Sequence, residues 1–247
     1  MKTMYLVAAC AAALAATAVA ATVPPNIEKA VVNPARPQAD RDRDAARKPA
    51  EVLAFADVKP GEQVIELIPG GGYFTRLLSG AVGPTGHVTE VVPNLTGAAD
   101  VAQKSNGVAA DANFANVTET HLAPGQLGKL GPADLVWTSQ NYHDLHLARF
   151  KLDVAGFDKE VFAALKPGGI FFIEDHSAKT GSGLEAPDKL HRIDEDFVKK
   201  EVESAGFKLV GESDALRNPS DDRSLIVFAP SIRGHTDQFL LKFQKPR

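Results

Sequence analysis

Three groups of residues in this sequence have the types and spacing to do chemistry. The first is Gly70-Gly71-Gly72, preceded by Glu66 and Pro69 at the end of an apolar run and followed by the helix-like YFTRLLS. Adjacent glycines remove the side chains that keep a ligand off the backbone, and they permit positive φ. A helix starting there presents unpaired N–H groups to a carboxylate or phosphate. The second group is Asn141-Tyr142-His143-Asp144, within SQNYHDLHL. An imidazole beside a carboxylate makes a general base with an orienting partner, while Asn141 and Asp144 could equally cap the next helix. The third group is Glu174-Asp175-His176, which closes an apolar segment and faces either a ligand or water.

Spacing removes several chemistries. A dinucleotide fingerprint needs a third glycine where Thr75 stands, and neither a P-loop nor a G-x-S-x-G elbow is present. His143, His146 and His176, with Asp175, invite a metal-dependent hydrolase. The H-D-L-H run, however, offers two histidines at i, i+3 and no third ligand at a recognised spacing, so no metal site is expected. Arg192, beside His191, would clamp an acidic substrate or pair with Asp188 or Glu195 one helical turn away.

These groups need elements to hold them. Apolar runs at 63–67, 87–92, 117–122, 134–139, 170–174, 207–211 and 238–243 read as strands. Helical patterns fall at 40–56 (broken at Pro49), from Tyr73 to Ser79, at 157–165, and over a long amphipathic stretch at 187–205. Strands alternating with helices imply a parallel sheet covered on both faces, an α/β domain. The turn-rich segment 214–236 is expected as an excursion that covers the ligand crevice. Trp137 and the strand phenylalanines are expected in the core.

The chain has 247 residues, 44% of them hydrophobic and 23% charged, enough for one sizeable core. Residues 1–20 place Lys2 ahead of an Ala/Val-rich run that ends in Ala18-Val19-Ala20, the pattern of a cleaved signal peptide. Uncleaved, the run would be a weak membrane anchor, and Cys10 comes early for a lipoprotein site. Each reading puts the folded domain outside the cytoplasm. Cleavage takes Lys2 from the 27 basic residues, leaving 26 against 31 acidic, and removes Cys10, the sole cysteine. A mildly acidic domain without a basic cluster is a poor partner for nucleic acid. Residues 21–38, rich in proline, read as an extended linker, so the ordered domain is expected over 39–247.

Glu66-Leu67-Ile68-Pro69-Gly70-Gly71-Gly72 and the Leu165-to-Gly169 turn (LKPGG) resemble the first motif and a later turn of the class I S-adenosylmethionine-dependent methyltransferases. More closely, ELIPGGGYFT, SQNYHDL, LKPGGIFFIEDH, HRID and the C-terminal RNPSDDRSLIVFAPSIRGHTDQFLLKF resemble a group of exported predicted methyltransferases. The resemblance implies a Rossmann-like doubly wound, mostly parallel seven-stranded sheet with an antiparallel C-terminal strand. It also implies S-adenosylmethionine as cofactor and a small-molecule or envelope acceptor. Cofactor contacts would come from Glu66, Pro69, Gly70, Gly71, Gly72 and Asn141. His143 would be the base, Asp144 its orienter or itself a carboxylate near the cation, and Tyr142 would stack on the adenine or face the sulfonium. Two positions depart from the pattern. Ile68 stands at the motif's first glycine, and Val92 at the ribose-binding acid, for which Glu90 would substitute. Those departures leave open a non-catalytic protein that binds an adenosine-like or other small ligand in the same crevice.

Overall fold

The computed structural model describes residues 23–93, 105–123 and 125–247. The leader expected at residues 1–20 lies outside them. Strands β1 (Gln63–Leu67), β2 (His87–Pro93), β3 (Val117–Leu122), β4 (Ala133–Ser139), β5 (Leu165–His176), β6 (Lys208–Ser213) and β7 (Gln238–Gln244) form one sheet in the order β3-β2-β1-β4-β5-β7-β6. The pairs from β3 through β5 are parallel. Strand β7 inserts antiparallel between β5 and β6. The expected architecture is therefore present. Strand order reverses between β1 and β4, which places a crevice above their C-terminal ends.

Helices cover both faces because the central strands are apolar on both. Along β4 the side chains alternate, with Leu135 and Trp137 on one face and Val136 on the other. The first face packs under α1 (Pro25–Val31), α4 (Pro49–Ala56) and α5 (Tyr73–Val82) through Ile27, Leu53 and Leu77. The second packs under α7 (Val154–Ala164) and α9 (Glu195–Ser204) through Val161, Val198 and Val202. Trp137 is fully buried and stacks on Phe172 at 4.0 Å, the core role expected of it. Each such large side chain contributes about 1.5–3 kcal/mol by leaving water.

Three sequence expectations are corrected. The supposed linker contains α1. Pro25 occupies its first turn, where a proline costs no hydrogen bond, and buried Ile27 and Ala30 give it a reason to dock. Asn26 Nδ2 fixes the dock by donating to the carbonyls of Val58 and Ala81. The 40–56 helix is broken into α2 (Gln38–Arg41), α3 (Asp44–Arg47) and α4. The long helix at 187–205 is split into α8 (Pro187–Leu190) and α9, because His191 turns left-handed (φ 51) and Ile193 bridges to Ser177. The LKPGG turn survives as a bulge within β5, where Ala133 faces Leu165 but Leu135 faces Ile170. No helix among the described residues is long and apolar enough to cross a membrane.

Candidate functional site

A cavity of about 360 Å³ opens at the C-terminal ends of β1 and β4. Its floor is the β1–α5 turn. Gly70 (φ 55) and Gly72 (φ 76) adopt the left-handed backbone, and Gly72 caps α5. A side chain added at Gly70 or Gly71 would meet nothing within 4 Å, so bare backbone there faces the cavity. Gly72 differs. A Cβ there would lie 2.5 Å from Val108 Cγ2 and 3.1 Å from Asn106 Nδ2, so the chain itself closes over the third glycine.

Ile68, at the motif's first glycine position, keeps the backbone a glycine would take (φ 53). For a β-branched residue this costs on the order of 1–3 kcal/mol. The turn is held from both sides. Ile68 N donates to Val91 O at 2.9 Å, and Asn141 Nδ2 donates to Ile68 O at 2.9 Å. Arg76 ties the glycines to the N-terminal segment by donating to the carbonyls of Gly71 and Gly72 and to Asp40.

Glu66 lines the cavity fully buried, with Oε2 unpartnered among the described residues. Burial, reinforced by the nearby Glu90 carboxyl, pushes its pKa up to about 8. An orphaned carboxyl oxygen beside bare glycine backbone is a place for a ligand's donor. Pro69 lines the cavity too. Glu90 does not line the cavity. It is buried on β2, where its Oε1 accepts from Thr75 Oγ1 at 2.8 Å and from Asn106 Nδ2, while its Oε2 has no partner among the described residues. Val92 is buried as well. Part of the segment after β2, residues 94–104, lies outside the described residues.

The opposite wall comes from α6 (Tyr142–Leu145), β5 and the His191 turn. His143 is buried, and its Nδ1 donates to Asp175 Oδ1 at 2.7 Å, which leaves the Nε2 lone pair facing the crevice. Asp175 also accepts from His143 N and His176 N. Burial works against the imidazolium, yet the Asp175 charge and hydrogen bond overcome it and raise the His143 pKa. The orienting carboxylate is therefore Asp175, not Asp144. Asp144 sits inside α6 rather than capping it, with Oδ1 3.4 Å from His143 Nε2. Tyr142 turns the other way. It is fully buried against α7 and α9, with its hydroxyl 2.8 Å from both Asp158 and Glu201, and it reaches no crevice surface. Helix α6 turns His143 and Asp144 to the cavity and Tyr142 and Leu145, one turn apart, to the core.

Glu174, Asp175 and His176 are all buried rather than solvated. Glu174 accepts from Ser139 Oγ at 2.8 Å and lies 3.7 Å from Arg47. His176 lines the cavity, bonded through Nδ1 to Thr236 Oγ1, and burial lowers its pKa to about 3. Arg192 pairs with neither Asp188 nor Glu195. Its guanidinium forks onto Asp221 at 2.7 and 3.1 Å, buried, and so anchors the 214–236 excursion. That excursion carries Val227 and Phe228 to the cavity rim, as the sequence suggested.

The residues missed from sequence are Arg43, Arg47, Arg149, His191 and Phe228, all lining the cavity. Arg47 lies over the Tyr73 and Phe74 rings at 4.4 and 4.8 Å and donates to Ser139 Oγ. The only hint was the charge density of DRDRDAAR. A second chamber of about 510 Å³ shares Arg43, Arg47, Gln140, His176, Val227 and Phe228 with the first.

Strand order, the antiparallel seventh strand and a glycine turn at the switch point together define the Rossmann-like fold of the class I methyltransferases. Solved structures agree. A SAM-dependent methyltransferase from Aquifex aeolicus is 16% identical with a TM-score of 0.55, over 82% of this chain and 98% of that one. A cyclopropane-fatty-acyl-phospholipid synthase-like protein from Lactobacillus casei is 16% identical at a TM-score of 0.54, over 84% and 92%. Aeropyrum pernix fibrillarin, with natively bound S-adenosyl-L-methionine, is 14% identical at 0.51, over 81% and 76%. At these identities the likeness is one of fold. No protein-family model and no curated protein matches the sequence.

Proposed function

We propose that this chain is an S-adenosylmethionine-dependent methyltransferase acting on a small-molecule or envelope acceptor, and that it works outside the cytoplasm, as its leader-like N-terminus suggests. The reading rests on one observation: bare backbone at Gly70 and Gly71 beside the unpartnered carboxyl oxygen of Glu66, at the switch point of the sheet. That arrangement fits the amino-acid end of the cofactor. Glu66 would accept from its ammonium, the glycine turn would lie along it, and Asn141 would keep the turn in shape from behind. When bound, the cofactor supplies an electrophilic methyl group on a sulfonium.

The chain's own part is alignment and proton handling. His143 Nε2 is the crevice-facing lone pair that takes a proton from an acceptor hydroxyl or amine, and Asp175 holds the ring in the tautomer that leaves Nε2 free. Val227 and Phe228 add apolar surface to the crevice wall from the 214–236 excursion. The paired chambers suit a small acceptor better than a folded one. The second reading, a non-catalytic binder of an adenosine-like or other small ligand, is favoured by the closure of Val108 and Asn106 over Gly72 and by the prior engagement of Glu90.

Calorimetry with S-adenosylmethionine and S-adenosylhomocysteine on the purified protein tests both readings. Binding is expected, and Gly71→Val should abolish it. Binding without methyl transfer to any offered acceptor would favour the second reading, and absence of binding to either compound would overturn the first.

A further inference from the structure

Three ligand atoms meet on the crevice wall. His143 Nε2 lies 3.3 Å from His191 Nδ1 and 3.4 Å from Asp144 Oδ1, and His191 Nδ1 lies 3.4 Å from the same Asp144 oxygen. The triangle is nearly equilateral. A tetrahedral ion with bonds of about 2.0–2.1 Å to nitrogen and oxygen spaces its ligand atoms about 3.3–3.4 Å apart, so one face of such a polyhedron is already drawn. We propose that His143, Asp144 and His191 form a binding site for a divalent transition-metal cation of zinc's type, with the fourth corner open to the crevice.

Chemistry beyond the spacing supports this. With its Nδ1–H committed to buried Asp175 at 2.7 Å, the neutral His143 ring presents its Nε2 lone pair to the triangle. A carboxylate behind a ligating imidazole is the usual outer partner of a metal-bound histidine, fixing its tautomer and raising its basicity. The site thus aims two ring nitrogens and a carboxylate oxygen at one point, which asks for a positive charge there. His191 reaches that point at a backbone price, since it holds φ 51 as the residue that breaks 187–205 into two helices. Such strain persists where the surroundings impose it, commonly at ligand sites. Phe228 packs edge-on against the His191 ring at 4.9 Å and braces it. The donor set, two imidazoles and one carboxylate, suits zinc and its first-row neighbours better than magnesium or calcium, which prefer all-oxygen shells.

This inference goes beyond the methyl-transfer proposal, and only its consequence for that reaction rests on it. With the cation in place His143 is a ligand, and the base role assigned to it above belongs to the metal-free protein. The open corner then selects an acceptor that offers an oxygen to the metal, whose charge makes a bound hydroxyl more acidic. The site itself does not depend on which donor occupies the glycine turn.

The test is direct. The full chain is stripped with chelator and titrated calorimetrically with Zn2+, and bound metal is counted by elemental analysis. One equivalent is expected. His143→Ala and His191→Asn (asparagine tolerates the left-handed backbone) should each weaken binding by about 100-fold or more, and Asp175→Asn by about 10–100-fold through the lost outer partner. His121→Ala, altering a histidine outside the site, should bind as wild type. Circular dichroism confirms that each variant is folded. If His143→Ala does not fold, His191→Asn carries the test, with visible absorption of the Co2+-loaded protein reporting coordination number. No stoichiometric binding, or equal binding by wild type and His191→Asn, overturns the site. Zinc binding without S-adenosylmethionine binding keeps this inference and defeats the methyl-transfer reading, and the converse result separates them the other way.

Discussion

Replacing Glu66 with glutamine should change how stability depends on pH more than it changes stability at any one acidic pH. The carboxyl is buried beneath the glycine turn with its pKa pushed from 4.5 up to about 8. The folded chain therefore holds this proton more tightly than the unfolded chain does. The stabilisation is complete below pH 4.5, declines as pH rises, and is gone above pH 8. At ~1.4 kcal/mol per pH unit, the wild type loses about 5 kcal/mol across that window relative to a side chain that does not titrate, and about 3 kcal/mol of it by pH 7. Glutamine keeps the shape and carries no charge, so any constant cost of its amide cancels when differences are taken between pH values. Urea unfolding of both proteins at pH 5, 7 and 9 measures the effect. The variant should gain on the wild type steadily from pH 5 to about 8 and no further above it, so the gain between pH 7 and 9 is smaller than that between pH 5 and 7. Curves that stay parallel within about 1 kcal/mol over that range would refute the argument, and with it the claim that Glu66 is a neutral acid waiting for a cationic partner.

Gly71→Val places a side chain in open space, so stability should move by less than about 1 kcal/mol while ligand binding is lost, as thermal unfolding and calorimetry together would show. Asp221→Ala should destabilise by about 3–5 kcal/mol, because Arg192 is left buried and unpaired. The double variant Arg192→Met/Asp221→Leu should recover much of that loss in the same unfolding assay. Tyr142→Phe should cost about 1–3 kcal/mol through the carboxyls left without its hydroxyl, yet leave calorimetric ligand affinity near wild type. A large fall in affinity with unchanged stability would instead return Tyr142 to the crevice.

What was legible in the sequence follows periodicity. The strands, the glycine turn and the covering excursion announce themselves through apolar runs and turn chemistry, and they stand within a few residues of where the pattern put them. Helix α1 was lost because Pro24 and Pro25 suggest an extended chain, although proline at a helix start is neutral. That Tyr142 lies in the core and not the crevice was not legible, because a four-residue motif does not say which side of a short helix faces the core. His191 escaped notice for a different reason. It comes to His143 across 48 residues, and the left-handed turn that brings it there interrupts a stretch whose side-chain pattern is helical throughout. Asp175, rather than its neighbour in the motif, orients His143 because β5 runs beside β4, a pairing that no local spacing reveals.

The stretch before residue 48 is a wall of the binding site as well as a cover for the sheet. Arg43 and Arg47 line the crevice, Arg36 and Tyr73 meet at Asp44, and Ala30 nestles 3.0 Å from where a side chain on Gly80 would begin. A protein trimmed to begin at residue 39 would strip Ile27 and Ala30 from α5 and loosen the arginines above the glycine turn. Tags and fusions therefore belong ahead of Pro24, where they leave this brace whole.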